Sequence, residues 1–188
     1  MSKLETNTID TVSGTTNLTI GSTNTSTITM PNGALSGQNY PAFQAYLSSA
    51  QTVTDNTITK VQIDTEDFDT NNMYDNSTNY RFTPTVAGKY LVYGSIEFDT
   101  SGATNSAIDT VDTYIYKNGS IYVQSKEHYL SNPVRMGYLE TSAIIDFNGS
   151  TDYVELFGRN NVNTGTPIFE PHSAWKRATK FGAYRIGA

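Results

Sequence analysis

Residues 89–98 read Lys-Tyr-Leu-Val-Tyr-Gly-Ser-Ile-Glu-Phe, and taking alternate positions separates two faces. Tyr90, Val92, Gly94, Ile96 and Phe98 form one apolar side, which predicts a strand lying on a core. On the other side Leu91 and Tyr93 are apolar while Ser95 and Glu97 are polar. That side is expected to meet a neighbouring subunit or layer where the strand begins and water where it ends. The same period of two marks strands at residues 42–47, 58–63, 111–117, 121–123, 139–147, 153–157 and 181–186. Lys117-Asn-Gly-Ser120 is a hairpin signal between two of them, and Asn148-Gly149 is a second turn, joining 139–147 to 153–157. Residues 64–79 are polar and acidic and read as a loop, as does the long stretch 160–180. No segment calls for a helix. Strands separated by turns at this length predict an all-β fold, an antiparallel two-sheet jelly-roll sandwich.

The apolar pattern changes at the N-terminal side of this region. Residues 1–38 contain no aromatic side chain and carry short alternations in which Leu18 and Ile20 recur as Ile28 and Met30, ten positions on. Two parts follow: an N-terminal β arm or stalk, 1–38, and a head, 39–188. Fixing the arm's backbone costs roughly 1–2 kcal/mol per residue, whereas each buried aliphatic side chain returns about 1.5–3 kcal/mol. Its apolar residues are too sparse to offset that cost. The arm is therefore expected to be ordered by other chains, with Leu18, Ile20, Ile28 and Met30 making the contacts.

Charge and composition narrow the partners. A net charge of -6 without a basic run removes the footprint of a nucleic-acid binder. With no cysteine, neither disulfides nor thiolate metal sites hold the fold. The N-terminus lacks the apolar core of a signal peptide, and no stretch reaches the roughly 20 apolar residues of a membrane span. Synthesis in a cytoplasm and no membrane insertion are the expectations. Asn-x-Ser/Thr triplets at Asn17, Asn24, Asn76, Asn118 and Asn148 follow from the abundance of these residues rather than from glycosylation.

Candidate chemistry is thin. His128 and His172 are the two histidines, both in polar stretches, and no Gly-x-Ser-x-Gly elbow accompanies them, so no enzyme activity is expected. Asp64, Glu66, Asp67, Asp69, Asp109 and Asp112 supply oxygen donors of the kind Ca²⁺ takes, but without the spacing of a calcium loop. They read first as solvated acidic loops, with Ca²⁺ as the alternative and no other cofactor. Trp175, beside Lys176, Arg177 and Lys180, reads either as packing over the sandwich end or as a partner or sugar contact.

The order of motifs resembles the complement-globular-head and tumour-necrosis-factor-like jelly-roll family. Ala42-Phe43 stands early, followed by Phe82-Thr-Pro84 with Gly88-Lys-Tyr90 leading into an aliphatic strand, then Lys117-Asn118-Gly119, and Phe181-Gly182 closes the series. The match spans about residues 40–188. Pro84 fits a site before the strand where no ladder donor is lost, and Gly88 fits a tight turn. The chain departs from the family pattern at Asn148-Gly-Ser-Thr-Asp152, where a Gly-Asp pair is usual, and in residues 160–180. The resemblance implies a homotrimer, with Leu91 and Tyr93 as interface candidates.

The arm, in turn, resembles the Thr/Asn/Gly-rich segments of structural proteins of tailed bacteriophages. Together these imply a non-enzymatic virion-surface knob or short fibre that contacts other virion proteins through residues 1–38. A receptor-binding tail-fibre tip recognising a host-surface glycan or protein is one alternative, and a secreted bacterial adhesin is another. Even fully extended, 38 residues reach only on the order of 125 Å, which favours the knob over a long fibre.

Overall fold

The computed structural model describes residues 40–102, 107–171 and 177–187, all within the unit 39–188. The arm residues Leu18, Ile20, Ile28 and Met30, and also His172 and Trp175, lie outside the described residues. The described chain forms thirteen strands: β1 Ala42–Tyr46, β2 Gln51–Thr52, β3 Thr59–Lys60, β4 Thr65–Asp69, β5 Tyr74–Asp75, β6 Arg81–Phe82, β7 Gly88–Ser101, β8 Ile108–Lys117, β9 Ser120–His128, β10 Gly137–Phe147, β11 Val154–Val162, β12 Thr166–Glu170 and β13 Lys180–Gly187. No helix occurs among the described residues.

Every strand pairing is antiparallel, and the strands divide into two sheets. In the first, β4, β1, β13 and β7 follow one another and β10 closes the far side of β7. Past the end of β13 the same edge of β7 is taken up by β12, which carries β2. The second sheet runs β5, β6, β11, β8, β9, with β3 also on β11. Asn118 and Gly119 both adopt positive φ, as the two-residue hairpin between β8 and β9 requires. The second Asn-Gly turn works differently, because it carries the chain from β10 in the first sheet to β11 in the second. There the Asn148 Oδ1 accepts the backbone N–H groups of Ser150, Thr151 and Asp152.

The inward positions are those that alternation selects. Phe43, Phe82, Tyr90, Phe147 and Phe181 are buried, and their rings meet at centroid separations of 4.5 Å for Phe43–Phe82 and 5.2 Å for Tyr90–Phe147. Each such ring buried stabilises the fold by roughly 1.5–3 kcal/mol before the added ring–ring term. Between the sheets two glycines receive large neighbours reciprocally. A Cβ on Gly94 of β7 would strike the Leu156 side chain of β11, and a Cβ on Gly158 of β11 would lie 2.7 Å from Ile96 Cδ1 of β7. At Gly88 φ is +137° and a Cβ would collide with the Gly187 carbonyl, so the turn expected before the strand depends on glycine.

Several expectations are corrected. Ser95 and Glu97 are not wetted: they are 1% and 2% exposed. Thr179 fills the gap between β12 and β13 beside them, accepting the Glu97 N–H at 3.0 Å and donating its hydroxyl to the Glu170 carbonyl at 2.7 Å, while the Ser95 hydroxyl donates to the Ala178 carbonyl. Residues 64–79 are not simply loop, since β4 pairs with β1 and β5 with β6. Likewise β12, within 160–180, pairs with the end of β7, which extends to Ser101.

Candidate assembly face

With Tyr90, Val92 and Ile96 facing inward, their neighbours in β7 stand on the outer face of the first sheet. Strand register then builds rows across four strands. One row runs Ala42, Tyr184, Leu91, Ile144; the next Gln44, Gly182, Tyr93, Ser142; the third Tyr46, Lys180, Ser95, Glu140. The first row is apolar throughout, yet Tyr184 is 46% exposed and Ile144 57%. Tyr122 of β9, also half exposed, donates its hydroxyl to the Ile144 carbonyl at 3.3 Å and lengthens the row. Leu91 and Tyr93 are partly exposed within this surface.

Tyr93 is held flat. A Cβ on Gly182 would occupy the space of its ring, so the glycine lets the phenol lie across β13. The hydroxyl donates to Gln44 Oε1 at 2.8 Å, and Gln44 Nε2 donates to Asp67 Oδ2 at 2.9 Å. Burial, reinforced by the negative charge of Asp67, raises the Tyr93 phenol above its ordinary range. The Arg177 guanidinium donates to both Asp67 oxygens and lies 4.6 Å from the Tyr46 ring centroid. Its hydrogen bond is the main reason that the Asp67 carboxyl sits below the usual range.

Beside Tyr93 an open groove of about 540 Å³ is lined by Leu91, Tyr93, Ser95, Glu140, Ser142 and Lys180. Lys180 divides it from a second groove of about 690 Å³ bordered by Met136, Gly137 and Tyr138. Glu140 accepts the Tyr138 hydroxyl at 2.5 Å. Among the described residues Lys180 makes no ion pair.

The outer face of the second sheet also carries rings, Tyr114, Tyr116 and Phe157, but it covers them. The Tyr116 and Phe157 rings meet at a tilt with centroids 4.2 Å apart, Lys60 lies 5.7 Å from the Phe157 centroid and pairs with Glu155, and the fully buried Asp112 is bridged by Arg159 at 2.7 Å and by Gln124 at 2.6 Å. Burial beside Asp112 pushes the Tyr114 phenol up to about 12.

The other residues singled out from sequence are dispersed. Asp64 accepts from Ser48, Asp69 from the Tyr74 N–H, Asp109 from Asn163, and Asp112 from Arg159, while the Glu66 carboxyl is raised by burial and then by Asp69. Among the described residues no three carboxylate or histidine side chains converge as a metal site. His128 is exposed at the end of β9, its Nδ1 3.2 Å from Thr110 Oγ1. Sequence reading missed Tyr184, Ile144, Lys180 and Glu140 as members of the face, although alternation from Phe181 and Ile145 points each of them outward.

No protein-family model matches the sequence, and no curated protein matches it. Solved structures do match. Murine APRIL at pH 5.0 superposes with a TM-score of 0.55 at 10% identity, over 79% of this chain and 100% of that one. The globular domain of zebrafish complement 1qA gives 0.52 at 10% identity over 78% and 97%, and the Eiger TNF of S. frugiperda gives 0.51 at 13% over 79% and 92%. These likenesses show the fold, the antiparallel two-sheet jelly roll expected from the motif order.

Proposed function

We propose that this chain is a non-enzymatic, homotrimeric structural protein of a tailed-phage virion, a surface knob or short fibre attached through residues 1–38. The observation that carries the self-association is the apolar row Ala42, Tyr184, Leu91 and Ile144 on the outer face of the first sheet, with Tyr184 and Ile144 about half exposed and Ala42 and Leu91 partly so. A contiguous apolar surface on a folded head favours a covering partner, and trimers are the state that the motif resemblance implies. Residues 1–38, rich in Thr, Asn and Gly and free of aromatics, support the virion part of the reading. The test is light scattering on the full chain at micromolar concentration, joined to immunogold electron microscopy of particles carrying full-length or 39–188 protein. The expected result is a trimer in both forms, with nearly equal melting temperatures, and particle labelling only for the full chain. A monomeric full chain would overturn the assembly, and equal labelling by the truncated head would overturn the role of residues 1–38.

A further inference from the structure

The third row of the covered face would contain two charges with opposite signs. Lys180 and Glu140 occupy the same cross-strand row, on either side of Ser95, and both line the groove of about 540 Å³. Two strand spacings, roughly 9.6 Å, separate their backbones. Among the described residues they do not meet: there Glu140 accepts only a hydroxyl, from Tyr138, and Lys180 has no ion pair. Elsewhere on this face, by contrast, Arg177 is already bound to Asp67. Removing an ammonium and a carboxylate from water is costly unless each gains an opposite charge with good geometry. A surface that presents one unmatched cation and one carboxylate in a row is electrostatically complementary to a second copy of itself.

We infer that Lys180 of one copy pairs with Glu140 of its neighbour and that this pair selects the register of the assembly. The inference rests on the self-association proposed above and adds to it the residues that discriminate the correct docking from a slipped one. Apolar contacts from Leu91, Tyr184 and Ile144 supply adhesion with little directional preference. The ion pair penalises any register that places like charges together.

The experiment uses the full-length chain and four charge variants read by light scattering and sedimentation across a concentration series. Lys180→Glu and Glu140→Lys should each raise the concentration of half-assembly by about tenfold or more, because like charges then face each other at every interface. The double variant Lys180→Glu/Glu140→Lys should return to wild-type assembly. Mixing the two single variants should give more assembled material than either alone, since each then supplies the charge the other lacks. Because one like-charged contact remains in a mixed trimer, that rescue is partial. Leu91→Asp serves as the control for the face itself. If Leu91→Asp is monomeric while both single charge variants assemble like wild type, the ion pair is wrong and the self-association stands. If the double variant recovers but the mixture does not, the pair forms within one chain across Ser95, and the inter-copy assignment is wrong. If wild type itself is monomeric, both statements fall.

Discussion

The outer faces of the two sheets carry similar numbers of rings and use them in opposite ways. On the second sheet the rings around β11 are roofed: Lys60 sits over Phe157, Arg81 lies 4.7 Å from the Tyr153 centroid, and Asp112 and Arg159 close a buried pair between neighbouring strands. On the first sheet Tyr184, Leu91 and Ile144 have no such roof among the described residues. An aromatic count alone would rate the faces alike. What distinguishes them is how far the chain's own cations and ion pairs go to finish the surface: on the first sheet Arg177 covers Tyr46 and binds Asp67 but leaves the row of Tyr184, Leu91 and Ile144 bare among the described residues. A face so finished has little to gain from a partner, whereas an unfinished one does.

That contrast can be broken at its strongest point by Leu91→Asp, which places a carboxylate in the middle of the apolar row. Burying it unpaired costs several kcal/mol at each interface, so scattering should report monomers at concentrations where wild type is assembled, with the head still folded by circular dichroism. Continued assembly would move the contact surface elsewhere. The next effect belongs to the second sheet and leaves assembly untouched. Arg159→Ala leaves the buried Asp112 without its cation and should cost about 3 kcal/mol, roughly 6–12 °C in Tm, without altering the oligomeric mass. An unchanged Tm would mean that the pair is not buried in solution.

The smallest effect is a titration. Tyr114 has its phenol pushed up to about 12 from 10.0, chiefly by burial and then by the charge of Asp112. The folded state therefore holds that proton more tightly than the unfolded one. The resulting contribution to stability is complete below about pH 10 and is lost as pH rises from 10 towards 12. Phenolate absorbance should show a step near pH 12 that Tyr114→Phe removes. If that variant titrates like wild type, the covering of Tyr114 is wrong.

How much of this was legible in the sequence depends on what fixes each element. The inward residues of β7, β8 and β10 announce themselves because large apolar side chains recur at period two, and the Asn118-Gly119 hairpin does so because few dipeptides accept two positive φ angles. By contrast β4, Thr-Glu-Asp-Phe-Asp, and β12, Thr-Pro-Ile-Phe-Glu, are short, and backbone bonding to strands distant in sequence holds them in place. Local pattern carries no trace of that. Ser95 and Glu97 were misread for the same reason, since Ala178 and Thr179, more than eighty positions later, bond to them. Leu91 and Tyr93 were legible as outward and apolar. Their rows were not, because register across β13 and β10 is a three-dimensional fact.

The reciprocal glycines between the sheets bear on mechanics. Leu156 seats against Gly94 while Ile96 seats against Gly158, so each strand carries one socket and, two residues further along or back, one peg. Sliding one sheet along the other would lift both pegs from their sockets at once, because neither strand can move without driving a side chain into the next Cα–Cβ-bearing position. The sandwich is thereby stiff to shear along β7 and β11, in the way a doubly pinned joint is. A load applied parallel to these strands would be borne by close-packed carbon against backbone rather than by the hydrogen-bond ladders alone.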